Sequence, residues 1–540
     1  MKSWICVGVA VLSLCLASPA MADSFMDCDG FGPPSPRGDG VTAVAKGSLF
    51  GSQGGGGDMG LTRPRLGLDG VEACSRALSD PRLLAKHDLQ RVNLLKARAL
   101  HKVLANDNPG ALQDLAAAQA AASRPTDPYF VRSLGFDMEL IRVLALRESG
   151  DAAGARELAA GLWKTRGWSR TAVAASDIAL GEAGDPKLRL EMAIRAAQLS
   201  PRSIDRVFMQ AFWEGRWADA IAVYPLLVAP YDPSIDFRYD GDRVRMGAIN
   251  DSTAAEFNAD RAMRQAYALA ALGRGDKGLA LIDAAGKRFD EATLPRLGDP
   301  ALDYRSKALF SEVRKDIIQF LPIFRDLVEA RRDVSKGRPE LAVGLLHRGR
   351  VIPGAIGADL LSAARPLLTP EKTGAIRLVD GALKDKELQP GPLPARDRLD
   401  LFDMLPEPET LERAMDPGSA GTPESGQSRS DGRYFVEIKA PRASAAAVEE
   451  MTMLKAAEIT RAAGKPAFLV LERSDLRRVY VAGSARASSA GQHGGHETWM
   501  FILPVDLADM PAAYLTSAWR AIDAQAVIAD LGPLYRKKAR

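Results

Sequence analysis

From about Val71 to Lys386 the chain runs through alanine- and leucine-rich segments in which apolar and charged positions alternate at helical spacing. The pattern breaks at 387–432, where Gln389-Pro390-Gly391-Pro392, Leu405-Pro406-Glu407-Pro408-Glu409 and the stretch from Gly418 to Arg433 read as a linker with one short helix near Thr410 to Met415. Beyond it the period changes. Tyr434-Phe435-Val436-Glu437-Ile438, Ala467 to Leu471, Val479-Tyr480-Val481 and Thr498 to Leu503 have strand length and composition. Ser444 caps a helix that Gly464 closes, and a last helix is expected from about Pro511 to Asp530. The expected fold class is therefore mainly α: an α-solenoid of helical hairpins over 71–386, then a small β-α-β-β-β-α domain over 433–540. Residues 23–70, with Gly30-Phe31-Gly32-Pro33-Pro34 and the run Gly54 to Gly57, are expected to be irregular. Those glycines do not make a phosphate loop, because no Gly-Lys-Ser/Thr follows and no apolar strand precedes them.

Within the helical region a Gly is followed five residues later by Ala at Gly150/Ala155, Gly215/Ala220, Gly275/Ala280 and Gly337/Ala342, and Gly184-Asp185 has the Gly alone. The positions 150, 184, 215, 275 and 337 are spaced by 34, 31, 60 and 62 residues, or one, one, two and two units. Gly can turn left-handed at a helix end without a Cβ penalty, and a small Ala lets two helix axes approach. This pattern resembles the tetratricopeptide repeat (TPR), over roughly residues 85 to 360. Ala268 and Ala330 fit that repeat's small residue seven before the Gly, and Val143 and Phe208 do not. Tyr224 fits its large residue four after the Ala, whereas Ala159 and Ala284 do not, and the closing Pro is missing. An earlier hairpin, Leu89 to Ala122 around Asn106-Asp107-Asn108-Pro109-Gly110-Ala111, fits the same layout, with its turn built by Asn-Pro-Gly instead. The resemblance implies stacked hairpins with a concave surface that takes a protein or peptide partner. In the C-terminal region, Leu454 to Thr460 with Gly464 and Phe468 resembles a small domain of uncharacterised bacterial envelope proteins, and this implies no activity.

The N-terminus adds a location. Lys2, the apolar run Trp4 to Leu16 and the small-x-small triplet Ala20-Met21-Ala22 form a secretory leader over 1–22, with cleavage expected after Ala22 into a periplasmic or secreted protein. Leu14 before Cys15 spoils a lipobox, and no later apolar stretch reaches membrane length. In an oxidising compartment Cys28 and Cys74 form a disulfide, or else remain two free or buried thiols. The charge balance is even, with 71 Lys and Arg against 68 Asp and Glu in 540 residues, which gives no nucleic-acid footprint. The basic end Arg536-Lys537-Lys538-Ala539-Arg540 reads as a solvated terminus.

Candidate chemistry is sparse. His493-Gly494-Gly495-His496-Glu497 supplies zinc-type donors on an expected loop, as His493, His496 and Glu497, but it lacks the helical H-E-x-x-H geometry. No metal site, catalytic residue or cofactor is therefore expected. A metal-assisted hydrolase in the C-terminal domain and a structural envelope component stay as alternatives to a binding scaffold. There is no Gly-x-Ser-x-Gly, and Glu449-Glu450 reads as a solvated helix surface. Phe212, Trp213 and Trp217 flank one turn and Trp163 and Trp168 another; such aromatics are core residues or, where exposed, peptide anchors.

Overall fold

The structure, a computed structural model, describes residues 23–34, 40, 65–181, 186–201, 203–227, 243–347, 354–368, 432–440, 443–480 and 492–536. The expected leader over 1–22, Gly184 and almost all of the 387–432 linker lie outside the described residues. The chain divides into two compact units, Met1–Arg124 with Tyr480–His493, and Pro125–Val479 with Gly494–Arg540.

The first unit contains α1 (Ser24–Asp29), α2 (Gly67–Leu78), α3 (Asp88–Leu104) and α4 (Asn108–Ala121). Part of the segment expected to be irregular is thus helical. Asp23 caps α1 by accepting from the Phe25 N–H at 3.1 Å, and Gly30, at φ +76°, ends it. A disulfide joins Cys28 of α1 to Cys74 of α2 inside a core with Phe25, Ala73, Ala77, Leu94 and Ala97. Beside it the Asp29 carboxylate accepts from Gln90 and Asn93 at 3.2 and 2.7 Å. The buried His101 ring donates from Nε2 to the Cys28 carbonyl at 2.8 Å.

The second unit begins with α5 (Pro128–Phe130), joined through a π-helical turn, Val131–Gly135, to α6 (Phe136–Glu148). It continues with α7 (Ala152–Thr165), α8 (Arg170–Leu180), α9 (Pro186–Leu199), α10 (Ser203–Trp213) and α11 (Trp217–Val223). Then come α12 (Arg243–Ala271), α13 (Gly275–Gly298), α14 (Tyr304–Ser335), α15 (Glu340–His347) and α16 (Ala355–Ala364). Among the described residues one turn recurs five times between consecutive helices: α3 and α4, α6 and α7, α10 and α11, α12 and α13, and α14 and α15. Its left-handed residue is Asn106, Gly150, Gly215, Gly273 or Gly337, with φ between +63° and +85°. In each case that residue's N–H donates three residues back and the next N–H five back, as from Gly150 to Arg147 and from Asp151 to Leu146, both at 2.9 Å. The residue five further on is Ala111, Ala155, Ala220, Gly278 or Ala342, and each is buried at the helix contact.

The turns differ from the sequence expectation in three places. The α3–α4 turn is made by left-handed Asn106, whereas Asn108-Pro109-Gly110 opens α4. The turn glycine of the α12–α13 hairpin is Gly273, whereas Gly275 opens α13 and Ala280 is exposed. The small contact residue there is Gly278, where an added Cβ would stand 2.5 Å from the Ala266 carbonyl oxygen. Third, the spacing from Gly275 to Gly337 does not hold two short units. It holds one hairpin of long helices, α13 and α14, at 24 and 32 residues; among the described residues the spacing from Gly215 to Gly275 holds the short α11 and the 29-residue α12.

The C-terminal layer runs β1 (Tyr434–Ala440), α17 (Ala445–Ala462), β2 (Ala467–Tyr480), β3 (Gln492–Val505), β4 (Ile522–Asp523) and α18 (Ala524–Tyr535). The sheet order is β1-β3-β2-β4, with β1 antiparallel to β3 and β2 antiparallel to β4. The β-α-β-β-β-α order holds, but with different strands. Val479 and Tyr480 end β2 instead of forming a strand of their own. The expected last helix is divided into a 3-10 helix, Ala512–Arg520, then β4 and α18. Pairing of Ile522 with Phe468 and of Asp523 with Ala467 overrides helical periodicity there, and Asp523 then caps α18 at the Ala526 N–H.

Candidate functional site

Two of the three metal candidates, His496 and Glu497, do not converge. His493-Gly494-Gly495-His496-Glu497 is the beginning of β3 and not a loop, with His496 paired to Ala440 and Glu497 to Lys439. Adjacent strand residues alternate faces, so positions 496 and 497 lie on opposite sides of the sheet. The side chain of His493 lies outside the described residues. Among the described residues no three His, Cys, Asp or Glu side chains come together as metal ligands.

A buried charge cluster forms where the sequence suggests a solvated helix surface. Glu449 and Glu450 of α17 are buried, at 1% and 0% exposure. Glu450 accepts from Arg132 Nη2 at 2.7 Å, from Arg166 Nε and Nη2 at 3.0 and 2.9 Å, and from the Tyr535 hydroxyl at 2.7 Å. Burial alone would push its carboxyl pKa up; the Arg166 and Arg132 charges reverse this and hold it down at about 2. Glu449 meets the N-terminus of α8, accepting from Ser169 Oγ at 2.7 Å and from the Thr171 N–H at 3.0 Å, and pairs with Arg473 at 3.2 Å. Asp475 of β2 joins Arg473, Arg170 and Thr498 at 2.9, 2.7 and 2.8 Å. Each carboxylate is met by several donors, and Arg166 is fully buried. The cluster ties α17 and β2 to the loops around α7 and α8. The signal is present in the sequence: from Ser444 to Leu454 these two Glu are the only charges, in a first half of α17 that is otherwise without charge, and a stretch apolar all round is buried.

Of the five candidate aromatics, Phe212, Trp217, Trp163 and Trp168 are buried at 0 to 9% exposure and belong to the core. Trp213, at the end of α10, is 45% exposed. Its ring is held from behind, edge-to-face on Phe212 at 5.7 Å, with the Arg264 guanidinium 4.8 Å from its centroid. Arg264 is itself fixed by two 2.8 Å hydrogen bonds to Asp260. The result is a rigid, half-exposed indole beside a positioned cation, at the turn that Gly215 makes.

A cleft of about 510 Å³ opens between α12 and α13. Tyr224, Pro225 and Leu227 line one side, Ala255, Asn258, Ala259, Arg261 and Ala262 line α12, and Leu281, Ala285, Arg288, Phe289 and Ala292 line α13. Alanines facing across the hairpin leave the space open where larger side chains would close it.

No family model, no curated protein and no solved structure matches the chain.

Proposed function

We propose that this chain is a non-catalytic scaffold of the bacterial cell envelope that binds a protein or peptide partner, with Trp213 as an anchor. The observation that carries the reading is the fixed, half-exposed indole backed by Arg264 and Phe212. Trp and Arg dominate binding energies where they are held rigid, because little side-chain entropy is lost on contact. The recurring hairpin turn supports a TPR-like solenoid body. The leader-like first residues and the Cys28–Cys74 disulfide support export to an oxidising compartment. Asp23, the first residue of the expected mature chain, serves as the cap of α1.

The test is recovery of a partner from envelope extract with the full-length protein and with Trp213→Ala. The expected loss is about tenfold or more, the usual scale of a tryptophan hot spot. Leu68→Ala, at a residue 75% exposed, should change nothing. Equal recovery with and without the Trp213 indole would end the proposal.

A further inference from the structure

We infer that the cleft between α12 and α13 is a binding site for a small aliphatic carboxylate. Its volume, about 510 Å³, falls in the range of small-molecule sites, roughly 300–1,000 Å³, whereas protein contacts spread over broad surfaces. Ala259, Ala285 and Phe289 give it an apolar floor, and Tyr224, Asn258 and Arg288 supply polar groups. Among the described residues no carboxylate lines it. The two arginines differ. Arg261 is committed, ion-paired to Asp205 and set 5.6 Å over the Phe257 ring. Arg288 is exposed and has no carboxylate partner among the described residues. Burial raises the Tyr224 pKa, against the pull of the Arg288 and Arg261 charges, so the phenol stays neutral and can donate to an anion.

This arrangement selects the ligand. A carboxylate would complete Arg288 and accept from Tyr224, and an aliphatic body would cover the alanines and Phe289. A peptide fits less well, because its buried backbone N–H and C=O groups would find few partners on a floor of alanine, leucine and phenylalanine. An amine would face like charge. A bare phosphate would leave the apolar floor unfilled. The cleft uses none of the Trp213 platform residues, so this site stands apart from the partner-binding proposal.

Isothermal titration of the full-length protein with decanoate tests it, with decylamine and a short Leu-Glu-Leu peptide as parallel probes. Decanoate should bind saturably at one site. Arg288→Glu, at an exposed position, should weaken decanoate by about tenfold or more and let decylamine bind, whereas Arg288→Lys should stay within a few-fold. Ala285→Trp should abolish binding by filling the floor. Trp213→Ala should leave decanoate affinity unchanged. Equal binding of decylamine by the unaltered protein, an Arg288→Glu variant that behaves as wild type, or binding of the peptide with none of decanoate would each overturn the inference. None of these results touches the Trp213 reading.

Discussion

Glu450 shows how a single carboxylate can fix a layer of structure. It is fully buried, yet two arginines and a tyrosine hydroxyl converge on its two oxygens. Removing one member of such a group leaves the others charged and unpaired out of water. Glu450→Gln should therefore destabilise the protein by roughly 3–5 kcal/mol in denaturant unfolding, while Glu458→Gln, at an exposed pair with Arg536, should cost under about 1 kcal/mol. The Glu450 pKa lies near 2, below the ordinary carboxylate value, so its stabilisation is present above about pH 4.5 and is lost as pH falls towards 2. His101 acts over a higher window. Burial lowers its pKa to about 4, against the hydrogen bond to the Cys28 carbonyl. The unfolded chain then takes up the proton first, and stability should fall as pH drops from about 6.5 to 4, by up to roughly 3 kcal/mol. Unfolding free energies from pH 7.5 to 4.5 would show this slope, and His101→Gln should flatten it.

At the scale of elements, the turn between paired helices is the unit that sequence could reveal. Only Gly or Asn adopts the left-handed residue readily, so Gly150, Gly215 and Gly337 stand out in sequence, and so does the small residue five places on; Asn106 does not, because Asn108-Pro109-Gly110 beside it is the stronger turn signal. The α12–α13 turn was misplaced because Gly273 and Gly275 both satisfy that requirement locally; the long helices decide between them. β4 left no local trace, since two residues become a strand only through pairing with Ala467 and Phe468. Two kinds of glycine now predict two costs. Gly150→Ala has open space around the new Cβ and should lose only about 1 kcal/mol from backbone strain. Gly278→Ala drives a methyl group into the Ala266 carbonyl and should lose more, about 2–3 kcal/mol, and loosen the α12–α13 contact in hydrogen exchange. The disulfide belongs to this scale too. It spans 46 residues, and its reduction should lower stability by about 4 kcal/mol on loop-closure grounds, freeing the Asp23–Gly30 segment to proteolysis.

At the scale of the whole molecule, the change from helical to strand period near residue 433 was legible, because period follows secondary structure directly. The tie between the C-terminal layer and α7–α8 was not. Charged residues in sequence look solvated until the partners that neutralise them, here Arg132, Arg166 and Arg473, are brought in from distant segments. The exposure of Trp213 was hidden for a similar reason: Phe212 and Trp213 are neighbours in sequence but point about 100° apart around α10, one into the core and one outward. The export reading has its own check, since amino-terminal sequencing of protein from envelope fractions should begin at Asp23. The claim that the molecule is a scaffold anchored through Trp213 meets its most direct test in cross-linking mass spectrometry of the full-length protein with its captured partner. The account predicts cross-links clustered on α10, α11 and the start of α16, where Gly354 borders the Trp213 ring, and lost with Trp213→Ala. Cross-links confined to other surfaces, and unchanged by that substitution, would contradict it.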